Sequence, residues 1–209
     1  MSRAAYRIET ERLVARCWSP EDAPALRASL DQNDQHLRPY IPWMRDEPRP
    51  LEATAARLRA ARAAFDSDRD YKYGLFEPGE GRLVGEVVLL SRAGPDALEI
   101  GYWIDRELAG RGLATEAAAA VTRVAFESLR VQRVDINHSA GNAASAAVPR
   151  RLGFTQDATL RRRAHDSDGV ARDLTMWSLF ADEYPGSPAS RVVIFAYDCM
   201  GVGIPLDGI

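Results

Sequence analysis

The chain has 209 residues, enough for one domain with a substantial core. Its net charge of −3 excludes the basic face that nonspecific nucleic-acid binding requires, so no nucleic-acid partner is expected. Two isolated cysteines, Cys17 and Cys199, and three histidines without metal-site spacing exclude a disulfide framework and a His-based metal centre.

No run approaches the roughly 20 apolar residues of a membrane span, and no apolar leader follows Met1. A reducing cytoplasm is the expected compartment. The cationic residues are nearly all arginine, Lys72 being the only lysine.

Residues Arg7 to Arg16 alternate partly and predict a first strand. Ser19 then opens SPEDAPALRASL, where a serine N-cap, a proline and early acids signal a helix start. HLRPYIPWM, with two prolines and two large aromatics, reads as a shaped loop. Leu51 to Phe65 has high helix propensity.

Tyr71–Phe76, Leu83–Ser91 and Leu98–Ile104 then form an expected antiparallel meander, with turns at EPGEGR and RAGPD. Gly112 to Arg130 is the strongest helix. Its apolar side runs through Leu113, Ala117, Ala120, Val121 and Val124, with Glu116, Arg123, Glu127 and Arg130 expected outside. A short strand at Arg133–His138 precedes a helix capped by Asn142 and ended by Gly153.

Thr159–His165 and Val170–Leu179 make a closing hairpin. PGSPAS then breaks regular structure. The expected division is therefore a domain over 1–186 and a linker and tail over 187–209, dispensable for the chemistry. RVVIFAY in that tail has the composition of a buried parallel strand, and the start of a further domain, an extra edge strand or a loose tail all remain open.

The junction from EIGYWI into AGRGLATEA carries the strongest chemical signal. Amides at a helix start lack partners and sit at the positive end of the dipole, and flanking glycines allow an anion close approach. Neither G-x-x-x-x-G-K-[ST] nor G-x-G-x-x-G occurs, so the two familiar nucleotide loops are excluded.

Four segments in order, IETERLVARCWSPEDAPAL, HLRPYIPWM, EIGYWIDRELAGRGLATEA and NAASAAVPRRLGF, make the chain similar to the Gcn5-related N-acetyltransferases, and within them to the RimJ/RimL branch. With the hairpin they cover about residues 7–184. The resemblance implies an α/β fold of the α+β kind: a mixed, mainly antiparallel sheet of about seven strands with about four helices. It further implies acetyl-CoA as co-substrate, no metal, and direct attack by a primary amine in a ternary complex. The acceptor, a protein N-terminus or a small-molecule amine, is left open, as is a homodimer.

By that resemblance the pyrophosphate loop is Gly110, Arg111, Gly112, Leu113, Ala114 and Thr115. Ala109 departs from the Gln or Arg usual at the head of the pattern. Trp103 and Ile104 would meet the pantetheine arm through their main chain, and Asn142 and Ser145 would flank the sulfur, with the Ser145 hydroxyl serving the leaving thiolate. Glu99 is the candidate base, expected on one face with Gly101 and Trp103. Tyr40 and Trp43 would line the acceptor side. Tyr102 is read as a packing residue and His138 as structural. A noncatalytic acyl-CoA-binding module and an interaction domain of a larger biosynthetic protein are the rival readings.

Overall fold

The computed structural model describes residues 4–206. The chain opens with two short strands, β1 (Arg7–Glu9) and β2 (Val14–Cys17), where one strand over Arg7–Arg16 is expected from alternation. Thr10 divides them. Its amide donates to the Leu13 carbonyl at 2.9 Å and its hydroxyl accepts from the Leu13 amide at 3.0 Å, which closes a turn that no glycine announces.

Helix α1 (Ala23–Leu37) follows a single 3-10 turn, capped by Ser19 in reciprocal hydrogen bonds with the turn it opens. Helix α2 (Leu51–Asp66) leads into the meander β3 (Asp70–Phe76), β4 (Leu83–Leu90) and β5 (Ala97–Ile104). Helix α3 (Leu113–Glu127), β6 (Arg133–Ser139) and α4 (Ala143–Leu152) come next, then the hairpin β7 (Thr155–His165) and β8 (Ala171–Phe180). A last strand, β9 (Phe195–Tyr197), lies in the tail.

All nine strands join one sheet in the order β7-β8-β6-β5-β4-β3-β2-β1-β9, and only β5 and β6 run parallel. The two strands beyond the expected seven are the split at Thr10 and β9. Period-two alternation sends Leu75, Val87 and Ile100 into a core with α3, whereas Phe76 and Trp103 pack with α1 and α2 on the opposite face.

The tail corrects one expectation. RVVIFAY is not a buried parallel strand: β9 pairs antiparallel with β1 at the sheet edge, with Ile194 and Ala196 buried while Val193 is 72% and Phe195 62% exposed. Only alternate residues of the apolar run are covered, because one face of an edge strand meets the core.

Glu127 is a second correction. It is buried rather than outside, because Tyr184 lies against α3 and donates its hydroxyl to the Glu127 carboxylate at 2.6 Å. Arg123 completes the pair from one turn away, 3.0 Å from Glu127, and also donates to the Val192 carbonyl at 2.7 Å. Burial first, then the Glu127 carboxylate, pushes the Tyr184 phenol up.

β5 and β6 are paired only from Ala97–Arg133 to Ile100–Ile136, yet both strands continue past that point. β5 stays bonded to β4 through Ile104, and β6 to β8 through Ser139. The strands therefore diverge in the middle of the sheet, leaving one edge of Gly101–Ile104 without a neighbouring strand among the described residues.

Candidate active site

The divergence is continued by the turn between β5 and α3. Asp105 accepts from the Glu107 amide at 2.8 Å, and Asn33 of α1 reaches across to accept from the Arg106 amide at 2.8 Å. The turn is thus fixed to α1. Gly110 (φ 78°) and Gly112 (φ 81°) then take left-handed backbone that L side chains rarely adopt, and α3 starts at once.

The first helical bond runs from the Glu116 amide to the Gly112 carbonyl at 3.0 Å. The amides of Leu113, Ala114 and Thr115 accordingly have no acceptor within the helix. Arg111 is placed differently from its neighbours. Its guanidinium donates to the Glu107 carbonyl at 3.2 Å, and its own carbonyl accepts from Arg12 at 2.9 Å. It braces the loop and does not line the cavity beside it.

That cavity, about 560 Å³, runs along the turn and between the diverging strands, with Trp103 and Ile104 on one wall and Asn142 and Ser145 of the α4 start on another. Gly110, Gly112, Leu113, Ala114 and Thr115 floor it, and Arg151 of α4 adds a cation. A second cavity, about 660 Å³, lies on the α2 side and contains Glu99, Gly101 and Trp103 in one wall and Trp43 in another. The two share Tyr40, Ile41, Tyr102, Trp103, Asn142 and Ser145, so they meet at one throat.

The second cavity is rich in acids, and each is engaged. Arg92 clamps both Glu99 oxygens at 2.9 and 2.5 Å. Glu86 accepts from the Trp18 indole at 2.8 Å and faces Arg57 at 3.4 Å. Glu47 pairs with Arg27, and Asp46 with Arg49 at 2.8 Å. Arg57 also stacks 4.1 Å from the Trp43 ring centre, which fixes that wall. Asp135, across the ladder from Glu99, has its carboxyl pushed up by burial, with Glu99 adding to the shift and Arg133 opposing it.

His138 is tied at both ring nitrogens: its Nε2 accepts from the Trp177 indole at 3.0 Å, and its Nδ1 lies 2.9 Å from the Ser139 carbonyl. Two other buried polar atoms in this wall, Trp103 Nε1 and Asn137 Oδ1, have no partner among the described residues. A buried polar atom without a partner is costly to the fold.

At the throat, Asn142 caps α4 by accepting from the Ser145 amide at 3.0 Å. The Ser145 hydroxyl lies 3.0 Å from the Tyr102 hydroxyl, which also donates to the Ser145 carbonyl at 3.1 Å. Burial pushes the Tyr102 phenol up to about 12, so it stays protonated at neutral pH.

Sequence reasoning missed Tyr102 and Asn137 as site residues. Asn137 carried no distinct signal, since Arg133, Asp135, His138 and Ser139 of the same strand are polar too. Tyr102 carried none, because its partner lies 43 residues away. Among the described residues no group of His, Cys, Asp or Glu could hold a metal, and no helix is long and apolar enough to cross a membrane.

Comparison with known proteins agrees with this geometry. The family described as "Acetyltransferase (GNAT) domain" matches residues 12–155. YdaF of Bacillus subtilis, provisionally named a ribosomal N-acetyltransferase, is 32% identical over 181 residues, covering 84% of this chain and 95% of YdaF. The [ribosomal protein uS5]-alanine N-acetyltransferase of Escherichia coli is 29% identical over 154 residues, covering 72% and 79% of the two chains. Among solved structures, Mycobacterium smegmatis RimJ in complex with CoA-disulfide superposes with a TM-score of 0.77 at 24% identity, covering 90% of this chain and 91% of that one, a likeness of fold.

Proposed function

The chain belongs to the GNAT family and is an acetyl-CoA-dependent N-acetyltransferase, and we propose that its acceptor is the α-amino group of a protein. The observation that carries the acceptor reading is the pairing of every acid in the acceptor-side cavity: Glu99, Glu86, Glu47 and Asp46 are all engaged by arginine. A lysine amine, with a pKa near about 10.4, demands a free base, whereas an α-amine near about 7.7–8.0 is roughly a tenth neutral at pH 7. The names of the relatives point the same way. Ribosomal-protein acceptors would place the enzyme in the cytoplasm.

The chain's own groups fit acetyl-CoA. The unpaired amides at the start of α3 suit a pyrophosphate, the open edge of Gly101–Ile104 suits a peptide-like arm, and Arg151 adds positive charge to the same cavity. When bound, acetyl-CoA supplies the thioester whose acetyl carbon the amine attacks. Main-chain amides of β5 near Trp103 polarise the acetyl oxygen, and the Ser145 hydroxyl donates a hydrogen bond to the departing sulfur.

An α-amine already partly neutral needs only weak help, so the proton it loses passes through water to Glu99, which stays paired with Arg92. Tyr40 and Trp43 hold the chain that carries the amine. No covalent enzyme intermediate forms. Residues 1–186 carry this machinery, with 187–209 as a closing tail.

The test is thiol release from acetyl-CoA with peptides bearing free or blocked N-termini and with lysine-only peptides, followed by product mass. Acetylation only of free N-termini is expected. Transfer confined to lysine side chains or to small amines would overturn the acceptor assignment.

A further inference from the structure

Helix α4 contains a defect at the throat of the site. Pro149 sits inside it, four residues after Ser145. In a regular helix the amide of residue 149 would donate to the Ser145 carbonyl, but proline has no N–H, and its ring crowds that same carbonyl. The Ser145 carbonyl is thus deprived of its helical donor one turn from the helix start.

The Tyr102 hydroxyl, from β5, fills the gap at 3.1 Å. Its oxygen lies at the same time 3.0 Å from the Ser145 hydroxyl. One phenol therefore holds both ends of the serine, and Asn142 holds the Ser145 amide at 3.0 Å. Tyr102 lines both cavities, so the serine hydroxyl is held where they meet.

From this geometry we infer that Tyr102 is a positioning residue for acetyl transfer, using the helix defect at Pro149 to fix the Ser145 hydroxyl at the departing sulfur. The inference rests on the proposed role of Ser145. Tyr102 makes no proton transfer of its own. The C–N bond forms and the C–S bond breaks, the amine's proton leaves through Glu99, and sulfur departs as a thiolate that accepts a hydrogen bond from Ser145. Tyr102 has a single proton: while it donates to the Ser145 carbonyl, its oxygen accepts from the serine hydroxyl and holds that side chain in one rotamer, from which the hydroxyl proton turns to the departing sulfur. Without Tyr102 the serine side chain is free to rotate among its staggered positions.

Two jobs are thus combined in one hydroxyl: propping the helix and orienting the serine. Removing the proline separates them. Pro149→Ala restores an amide to the Ser145 carbonyl and makes the prop redundant, while the Ser145 hydroxyl still needs its partner.

The experiment compares wild type, Tyr102→Phe, Pro149→Ala and the double variant in full-length protein, by single-turnover acetyl transfer and by thermal melting. Tyr102→Phe should lower the transfer rate roughly tenfold or more, since small misplacements of reacting groups cost up to about a hundredfold. KM for acetyl-CoA should stay within about twofold, and Tm should fall. In the Pro149→Ala background the Tm penalty of Tyr102→Phe should vanish while the rate loss remains.

Recovery of rate together with Tm in the double variant would show that Tyr102 only props the helix, and would overturn the inference. So would an unchanged rate in Tyr102→Phe. A Ser145→Ala protein tests the premise separately. Tyr102→Phe should add no further loss to it, whereas full activity in Ser145→Ala would refute the role of the serine itself.

Discussion

Gly112→Val tests whether the backbone of the α3 junction holds the cofactor. At φ 81° a β-branched residue occupies left-handed backbone, at a cost of about 1–3 kcal/mol. Crowding adds little, because a Cβ there would find nothing nearer than Arg12 Nη2 at 3.7 Å. For a chain of this size about 2 kcal/mol lowers Tm by roughly 4–8 °C.

The larger effect should fall on binding. The valine either keeps the strained loop and places its methyl groups on the cavity floor, or relaxes the loop and turns the amides away. Either outcome should weaken CoA binding at least roughly tenfold, about 1.4 kcal/mol. Gly141→Ala is the matched control. That residue lines the same cavity and has open space around it, but its φ is not positive, so both Tm and affinity should hold. Calorimetric titration with CoA, beside thermal melts, reads both quantities. A folded Gly112→Val protein with wild-type CoA affinity would refute the idea that this junction is the cradle.

Ser145→Ala keeps the cap on its amide, so it should lower kcat while leaving KM for acetyl-CoA and Tm nearly unchanged. Glu99→Gln should change the acidic limb of the kcat/KM profile, and an identical limb would return proton removal to solvent. Glu80 is partly buried, which pulls its carboxyl up, but hydrogen bonds from Arg7 and Arg16 outweigh that and hold it below its ordinary 4.5. Its stabilisation is therefore present above that pH and is lost as pH falls through the lowered folded value. Glu80→Gln should cost roughly 1 kcal/mol at pH 7, about 2–4 °C in Tm, with the difference closing in strong acid. A chain ending at Ser187 uncovers the β1 edge and loses the burial of Ile194 and Ala196, so melting should show a drop of roughly 5–10 °C while CoA titration still shows binding. An unchanged Tm would show that the tail contributes nothing to the fold.

The features legible in the sequence are those whose physics is local. A serine before Pro-Glu-Asp caps the 3-10 turn that leads into α1, Asn142 caps α4, and Gly153, at φ 84°, ends α4, because each motif satisfies backbone groups within a few residues. The α3 junction is readable for the same reason: two glycines permit left-handed backbone, and a helix start leaves amides free. Alternation also placed Glu99, Gly101 and Trp103 together in one wall.

Partners on different elements were decided only by the tertiary structure. Alternation could not foresee that Arg92 would clamp Glu99, that Tyr184 would bury Glu127 on the expected outer side of α3, or that β9 would cap the β1 edge. The Tyr102–Ser145 contact spans 43 residues and depends on β5 and α4 meeting where the strands diverge. Local propensity determines where each segment turns, caps and alternates. Which hydroxyl meets which carbonyl is decided when packing brings the segments together, since a buried polar group takes whatever partner the finished fold places within reach.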